Sequence, residues 1–227
     1  MKKVIMFIIA AMLVTFQANA QKKFTYGIKG GMNNTEVTNL WTNNSNELGF
    51  KNADLRRFLN IGAFAEWRIA SFFAVSPELV YSGQGIRDKT DNSIFINDIK
   101  VGEMKIDSKM NLSYINVPIM LKIYPFKWLS VDFGPQMGLL VAAKTKVDIT
   151  AKIGGEVQND KESIDIKDHI ETFDFGVGVG LTFNFNKHIF FQPRYYFGLT
   201  EVIKNPTDLN DQKHNNLMIQ FNLGYRF

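Results

Sequence analysis

Cysteine is absent from the 227 residues, histidine occurs three times, and no apolar run is long enough to cross a membrane as a helix. The first absence rules out disulfides and thiolate metal sites, so stability must come from packing and hydrogen bonding. The histidines, His169, His188 and His214, follow no ligand spacing, so neither a metal nor a cofactor is expected. The apolar run at residues 4–16 is about 13 residues long, against the roughly 20 that a spanning helix needs. Lys2 and Lys3 precede it and Ala18-Asn19-Ala20 follows it, which is the order of a secretory signal, with Ala18 and Ala20 as the small residues of the cleavage site. Residues 1–20 are therefore expected to be a cleaved signal peptide and 21–227 one β-barrel domain. The net charge of +4 includes the two leader lysines, which leaves the rest nearly neutral and without a nucleic-acid surface.

What the chain does contain is phenylalanine, 20 of them against 3 tryptophans, arranged with a period of two. Eight segments alternate. The first, 24–34, sets Phe24, Tyr26, Ile28 and Met32 against Thr25, Gly27, Lys29 and Asn33. The second, 58–68, opposes Leu59, Ile61 and Trp67 to Asn60, Glu66 and Arg68, and the third, 72–84, opposes Val75, Leu79 and Tyr81 to Ser76, Glu78 and Gln84. The fourth, 112–124, carries the aliphatic stripe Ile115, Val117, Ile119, Leu121 and Ile123, and the fifth, 128–141, places Leu129, Val131, Phe133, Met137, Leu139 and Val141 on one face with Asp132 on the other. The sixth, 172–185, alternates phenylalanine, valine and leucine with Asp174 and three glycines; the seventh, 188–199, and the eighth, 216–227, repeat the pattern around Arg194 and Arg226.

The connections alternate strictly between long (35–57, 85–111, 142–171, 200–215) and short (69–71, 125–127, 186–187). All the short turns fall at one end, the pattern of an eight-stranded antiparallel up-and-down transmembrane β-barrel with periplasmic turns and extracellular loops. Both termini are then periplasmic. A soluble barrel, apolar within and polar without, is the competing architecture. Two features count against it. The polar stripe is rich in Gly, Asn, Gln and Ser and poor in the Lys and Glu of a wet surface. Aromatic residues also cluster at the short-turn end, where an interfacial girdle belongs: Tyr26, Trp67, Phe73, Tyr124, Trp128, Phe183, Phe185, Phe191, Tyr225 and Phe227. The long connections 85–111 and 142–171 are themselves partly alternating, for example at Val147, Ile149, Ala151 and Ile153, which predicts that some strands continue as hairpins beyond the membrane.

The stretches GIKGGMN, GAFAEWR, LSYINVPIMLKIYPF, FGPQMGLLV, FDFGVGVGL and the terminal LGYRF resemble the outer-membrane β-barrel family widespread in Bacteroidetes, which includes PorT-like and porin-family proteins. The resemblance spans residues 21–227 and is strongest over the fourth strand and the following Gly134-Pro135. It implies an outer-membrane location, outer-membrane lipid and the barrel-assembly machinery as partners, and Phe227 as the aromatic C-terminal assembly signal. It supplies no chemical site to carry over.

On this register Lys29, Arg68, Lys122, Arg194 and Arg226 share the inward face with Glu66, Glu78, Asp132 and Asp174. Eight strands enclose only enough space for side chains, so these nine residues are expected to form a structural luminal charge network. Glu66 and Glu78 on neighbouring strands are the nearest thing to a catalytic acid and base, but carboxylates beside Arg and Lys serve structure first, and no enzyme is expected. The function expected is a non-enzymatic scaffold whose outer loops meet envelope protein partners, with a PorT-like role in secretion or gliding as one version. A narrow gated channel is the alternative. A lipid-acting barrel enzyme stands third, because no His and Ser pair marks a membrane edge.

Overall fold

The computed structural model describes residues 24–37, 53–96, 99–153, 156–204 and 215–227. The expected cleavage residues Ala18 and Ala20, and His214, lie outside the described residues. The described residues form nine strands: β1 (Phe24–Val37), β2 (Ala53–Ala70), β3 (Phe73–Ile96), β4 (Ile99–Phe126), β5 (Leu129–Ile153), β6 (Glu156–Asp165), β7 (Phe173–Asn184), β8 (Ile189–Glu201) and β9 (Asn215–Arg226). Every barrel pairing is antiparallel and joins sequence neighbours, except that β5 pairs β7 past β6, and β1 with β9 closes the ring. Eight strands thus form the barrel. The ninth, β6, pairs with β5 beyond it.

Alternation at the chain level becomes two faces at the barrel level. Leu59 is 74 % exposed and Ile61 66 %, whereas Asp132, Asn222 and Thr182 are wholly buried. This is the inverse of a soluble barrel, and only a hydrocarbon solvent makes such an outer face favourable. The apolar stripe therefore faces lipid. An aromatic rail runs along the short-turn end, with Phe126 stacked on Trp128, Trp128 on Phe183, and Phe183 on Phe191. Tyr26, Tyr225 and Phe227 continue it. Tyr124 does not belong to this girdle as expected. It shares parity with Lys122 and is buried in the lumen, where its hydroxyl finds a carboxylate.

The strands β3, β4 and β5 hold 24, 28 and 25 residues, against 12 to 13 for β7, β8 and β9. At about 3.3 Å per residue, the excess of a dozen residues carries this part of the sheet roughly 40 Å along the strands beyond the apolar belt. The long connections 85–111 and 142–171, in which some strands were expected to continue as hairpins, do so: 85–111 is mostly paired strand, and 142–171 supplies the outer half of β5 and all of β6. The result is a four-stranded protruding sheet, β3-β4-β5-β6, whose outermost strand is exposed along its whole length.

Val141, expected to face lipid with Leu139, sits where the β4–β5 register shifts between Ser113 and Tyr114. The extra residue reverses parity, so that Leu140 and Ala143 are both buried. A second irregularity lies at Gly85, whose φ of +140° is rare for an L side chain, and where a Cβ would meet the Met110 carbonyl oxygen at 2.1 Å. Thr35 secures this point from β1, its Oγ1 donating to the Gly85 carbonyl at 2.6 Å and accepting from the Gly85 amide.

Candidate functional site: the barrel lumen

Every barrel strand sends at least one polar side chain into the lumen, because strand parity that puts apolar groups on lipid turns the alternate residues inward. Midway along, Arg194 makes a two-pronged contact with Glu78, Nη1 to Oε2 at 2.8 Å and Nη2 to Oε1 at 2.9 Å. Lys29, on β1 midway around the wall between β3 and β8, donates to Glu78 at 2.6 Å and to Gln192 Oε1 at 2.9 Å. Gln192 Nε2 in turn donates to Asp132, which also accepts from Ser130 and Thr182. All of these groups are buried, so each charge relies on its partners for stabilisation.

Toward the short turns, Glu66 gathers a second cluster. Its Oε1 accepts from Tyr124 at 2.7 Å and Arg68 at 3.2 Å, and its Oε2 from Lys122 at 3.2 Å and Arg226 at 3.5 Å. Lys122 lies 3.9 Å from Asp132 and so joins the two clusters into one. Eight of the nine residues expected in the network meet in this way. Asp174 does not: it lies further toward the long connections, accepts from Asn216 at 2.9 Å, and has no cationic partner among the described residues.

Between these levels Asn33 accepts from Asn60 and Gln220 and donates to Ser82, a neutral polar layer. Beyond Asp174 the lumen changes character. Ile86, Met110, Leu112, Tyr114, Leu140 and Ala143 turn inward and pack with Ile170 and Val202, which the connections after β6 and β8 fold over the mouth. Backbone bonds hold this lid, Glu171 N to the Val202 carbonyl at 2.8 Å and Lys204 N to the His169 carbonyl at 3.0 Å. The charge network therefore lies beneath an apolar plug that parity counting of the membrane strands did not include. The sequence carries only a broken signal for it: Ile86, Leu112 and Leu140 are apolar at inward positions, but the buried Asp88 follows Ile86 on the same strand.

Glu66 and Glu78 occupy different clusters and each is engaged by at least two cations, an arrangement that balances charge rather than readies a proton. Among the described residues no three His, Asp or Glu side chains converge as metal ligands. His169 lies in a single helical turn, and His188 stacks on Tyr225. The lumen can do three things chemically: fix the register of all eight strands, exclude bulk water, and present cations at the short-turn end.

The family model described as outer membrane protein beta-barrel domain matches residues 17–204. The chain belongs to that family. It is accordingly an outer-membrane β-barrel protein. No curated protein matches it. Among solved structures it is similar to the attachment invasion locus protein Ail of Yersinia pestis, at 12 % identity and TM-score 0.41, over 90 % of this chain and 99 % of that one. It is also similar to Neisserial surface protein A, at 10 % identity and TM-score 0.40, over 90 % and 97 % of the two chains. A third is the outer membrane protein OprG of Pseudomonas aeruginosa, at 15 % identity and TM-score 0.34, over 90 % and 96 %.

Proposed function

We propose that this member of the barrel family is a sealed, non-enzymatic scaffold that anchors a protruding sheet outside the cell, where it meets an envelope or extracellular protein partner. In this orientation the short turns and both termini are periplasmic and the long connections extracellular, the usual disposition of such barrels. The observation that carries the reading is the contrast between the two ends of β3, β4 and β5. Within the membrane they enclose a lumen filled by paired charges and capped by the plug around Ile170. Beyond it they continue, joined by β6, as a sheet wet on both faces. Length and hydrogen bonding are spent where no lipid requires them, and extended exposed backbone suits contact with another protein.

A PorT-like role in secretion or gliding is the specific version that the resemblance of the fourth strand and Gly134-Pro135 favours. Cross-linking on intact cells, followed by purification of the barrel, tests the scaffold reading. A defined partner should be captured by the full chain and lost when residues 146–163 are replaced by a short turn, with barrel assembly unchanged. Identical cross-linked products from both forms would remove the protruding sheet as the contact surface. The second reading, a narrow gated channel, is favoured by the open cleft at the short-turn end, and it requires that the plug move.

A further inference from the structure

The short-turn mouth is open where the other end is sealed. A cleft of about 530 Å³, a size that accommodates a small ligand, is walled by Arg68 and Arg226 within and by Lys127, Lys187 and Trp128 at its rim. Among the described residues four cations thus line a space with one carboxylate, Glu66, which is shared between Arg68, Arg226, Lys122 and Tyr124 and so cannot balance the site alone. The imbalance extends inward. Five cations of the joined network, Lys29, Arg68, Lys122, Arg194 and Arg226, face three carboxylates, Glu66, Glu78 and Asp132.

Hydrogen bonding at the mouth has the same bias. The buried groups there without a partner are both donors, Arg226 Nε and Asn184 Nδ2, and Asn184 has its oxygen committed to Arg226 at 3.3 Å. Unmet donors in a partly desolvated site favour an incoming acceptor. The guanidiniums are also pre-positioned. Arg68 lies 4.0 Å over the Tyr124 ring and Arg226 5.3 Å over the Phe190 ring, which fixes their faces. Their Nη groups already make long bonds of 3.2 to 3.5 Å to Glu66 and Asn184, which leaves Arg226 Nε and the remaining Arg68 N–H groups for a ligand. Lys127 and Lys187 form no ion pair among the described residues. Lys187 is held in a tight turn in which Asn186 Oδ1 accepts from the His188 and Ile189 amides.

We propose that this mouth binds a phosphate group, cradled by the edges of Arg68 and Arg226, with Lys127 and Lys187 closing over it from the rim. A single carboxylate engages one guanidinium fork and leaves the second unmet. A tetrahedral phosphate offers oxygens in enough directions for two guanidiniums and two ammoniums. Its source is either the headgroup of a phospholipid in the adjoining leaflet or a soluble phosphate. Trp128 bears on the first, because it lines the cleft and also stacks within the lipid-facing aromatic rail, which sets the opening at headgroup depth.

The refolded full chain in zwitterionic-free detergent micelles, with nitrogen-labelled arginine side chains, provides the test. Inorganic phosphate, dihexanoyl phosphatidic acid and, as a phosphate-free control, dihexanoylglycerol are titrated while the Arg68 and Arg226 Nε–H signals are followed. Saturable shifts with inorganic phosphate mark a soluble source, and shifts with phosphatidic acid alone mark a lipid headgroup; both support the site. Arg68→Gln and Arg226→Gln could disturb Glu66, so the deciding variant is Lys127→Gln with Lys187→Gln, which touches no internal partner and should weaken binding about tenfold. Silence toward both phosphate ligands, equal shifts with dihexanoylglycerol, or unchanged affinity in the lysine variant would overturn the proposal.

Discussion

Removing the Glu78 carboxylate leaves Lys29 and Arg194 buried together with only Asp132 nearby to balance them. Breaking a buried ionic group from one side costs about 3–5 kcal/mol, because the stranded charges keep their desolvation penalty. Glu78→Ala should lower unfolding stability in lipid vesicles by that amount, read from the urea midpoint. Replacing Lys29, Glu78 and Arg194 together by Met should recover most of the loss, since no charge is then stranded. A triple variant as unstable as the single one would show that packing, not charge balance, is what Glu78 supplies. Gly85 acts through backbone instead. Its φ of +140° and the clash that an added Cβ would make with the Met110 carbonyl oxygen make Gly85→Ala a strain of about 1–3 kcal/mol. The loss should appear as faster amide exchange in β3 and β4 near Met110, with the Glu78 region unaffected. Uniform exchange rates throughout the barrel would contradict a local strain.

At the scale of strands, the protruding sheet solves a problem that its register creates. Asp107 on β4 and Asp148 on β5 lie directly opposite each other, a like-charge pair that disfavours pairing. Lys109 resolves it, its Nζ 2.9 Å from a carboxylate oxygen of each, while Arg87 grips Asp107 with Nε at 2.8 Å and Nη2 at 2.6 Å. Hydrogen bonds from Arg87 hold the Asp107 carboxyl well below its ordinary 3.8, and the bond from Lys109 lowers Asp148 in the same direction. A carboxyl depressed on folding adds stability that is complete above its unfolded value and is lost as pH falls toward its folded one. Amide protection in the β4–β5 extension, corrected for intrinsic rates, should thus be flat from pH 7 to about pH 5 and fall only below about pH 4. In Lys109→Met protection should be lower at pH 7, because the facing aspartates then repel, and the fall toward low pH should shrink or reverse as protonation relieves that repulsion; an unchanged profile would remove Lys109 as the bridge. This part of the molecule was also the least legible in the sequence. Lipid on one side and a polar lumen on the other impose strict alternation, so the expected 172–185 was found as Phe173–Asn184. Where both faces are wet the alternation is only partial, so the sequence pointed to strands continuing outward without giving their bounds, and β3, read as a segment to 84, runs on to Ile96.

For the whole molecule, parity was legible and register was not. Alternation alone placed nine charged residues on the inner face, but which anion meets which cation depends on the stagger between strands, and this left Asp174 away from every cation that Glu66, Glu78 and Asp132 share. The plug was hidden for a different reason: Ile170 and Val202 belong to connections, and the shift at Val141 turns Ala143 inward against simple counting. Together these features set two barriers in series across the lumen. The Glu78–Arg194–Lys29 layer joins opposite walls by direct bonds of 2.6 to 2.9 Å, and a buried apolar layer packs above it. An eight-stranded barrel has little interior beyond its own side chains, so the sealed-scaffold reading has each layer block a path. The wild-type protein in planar bilayers should accordingly show no stable unitary openings. Ile170→Ser with Val202→Ser, which wets the plug and leaves the charge layer intact, should remain silent as well. Steady ohmic steps from the wild type would sink the sealed-scaffold reading in favour of the channel. Steps from the serine variant alone would place the entire seal in the plug and show that the charge layer binds strands together without closing the lumen.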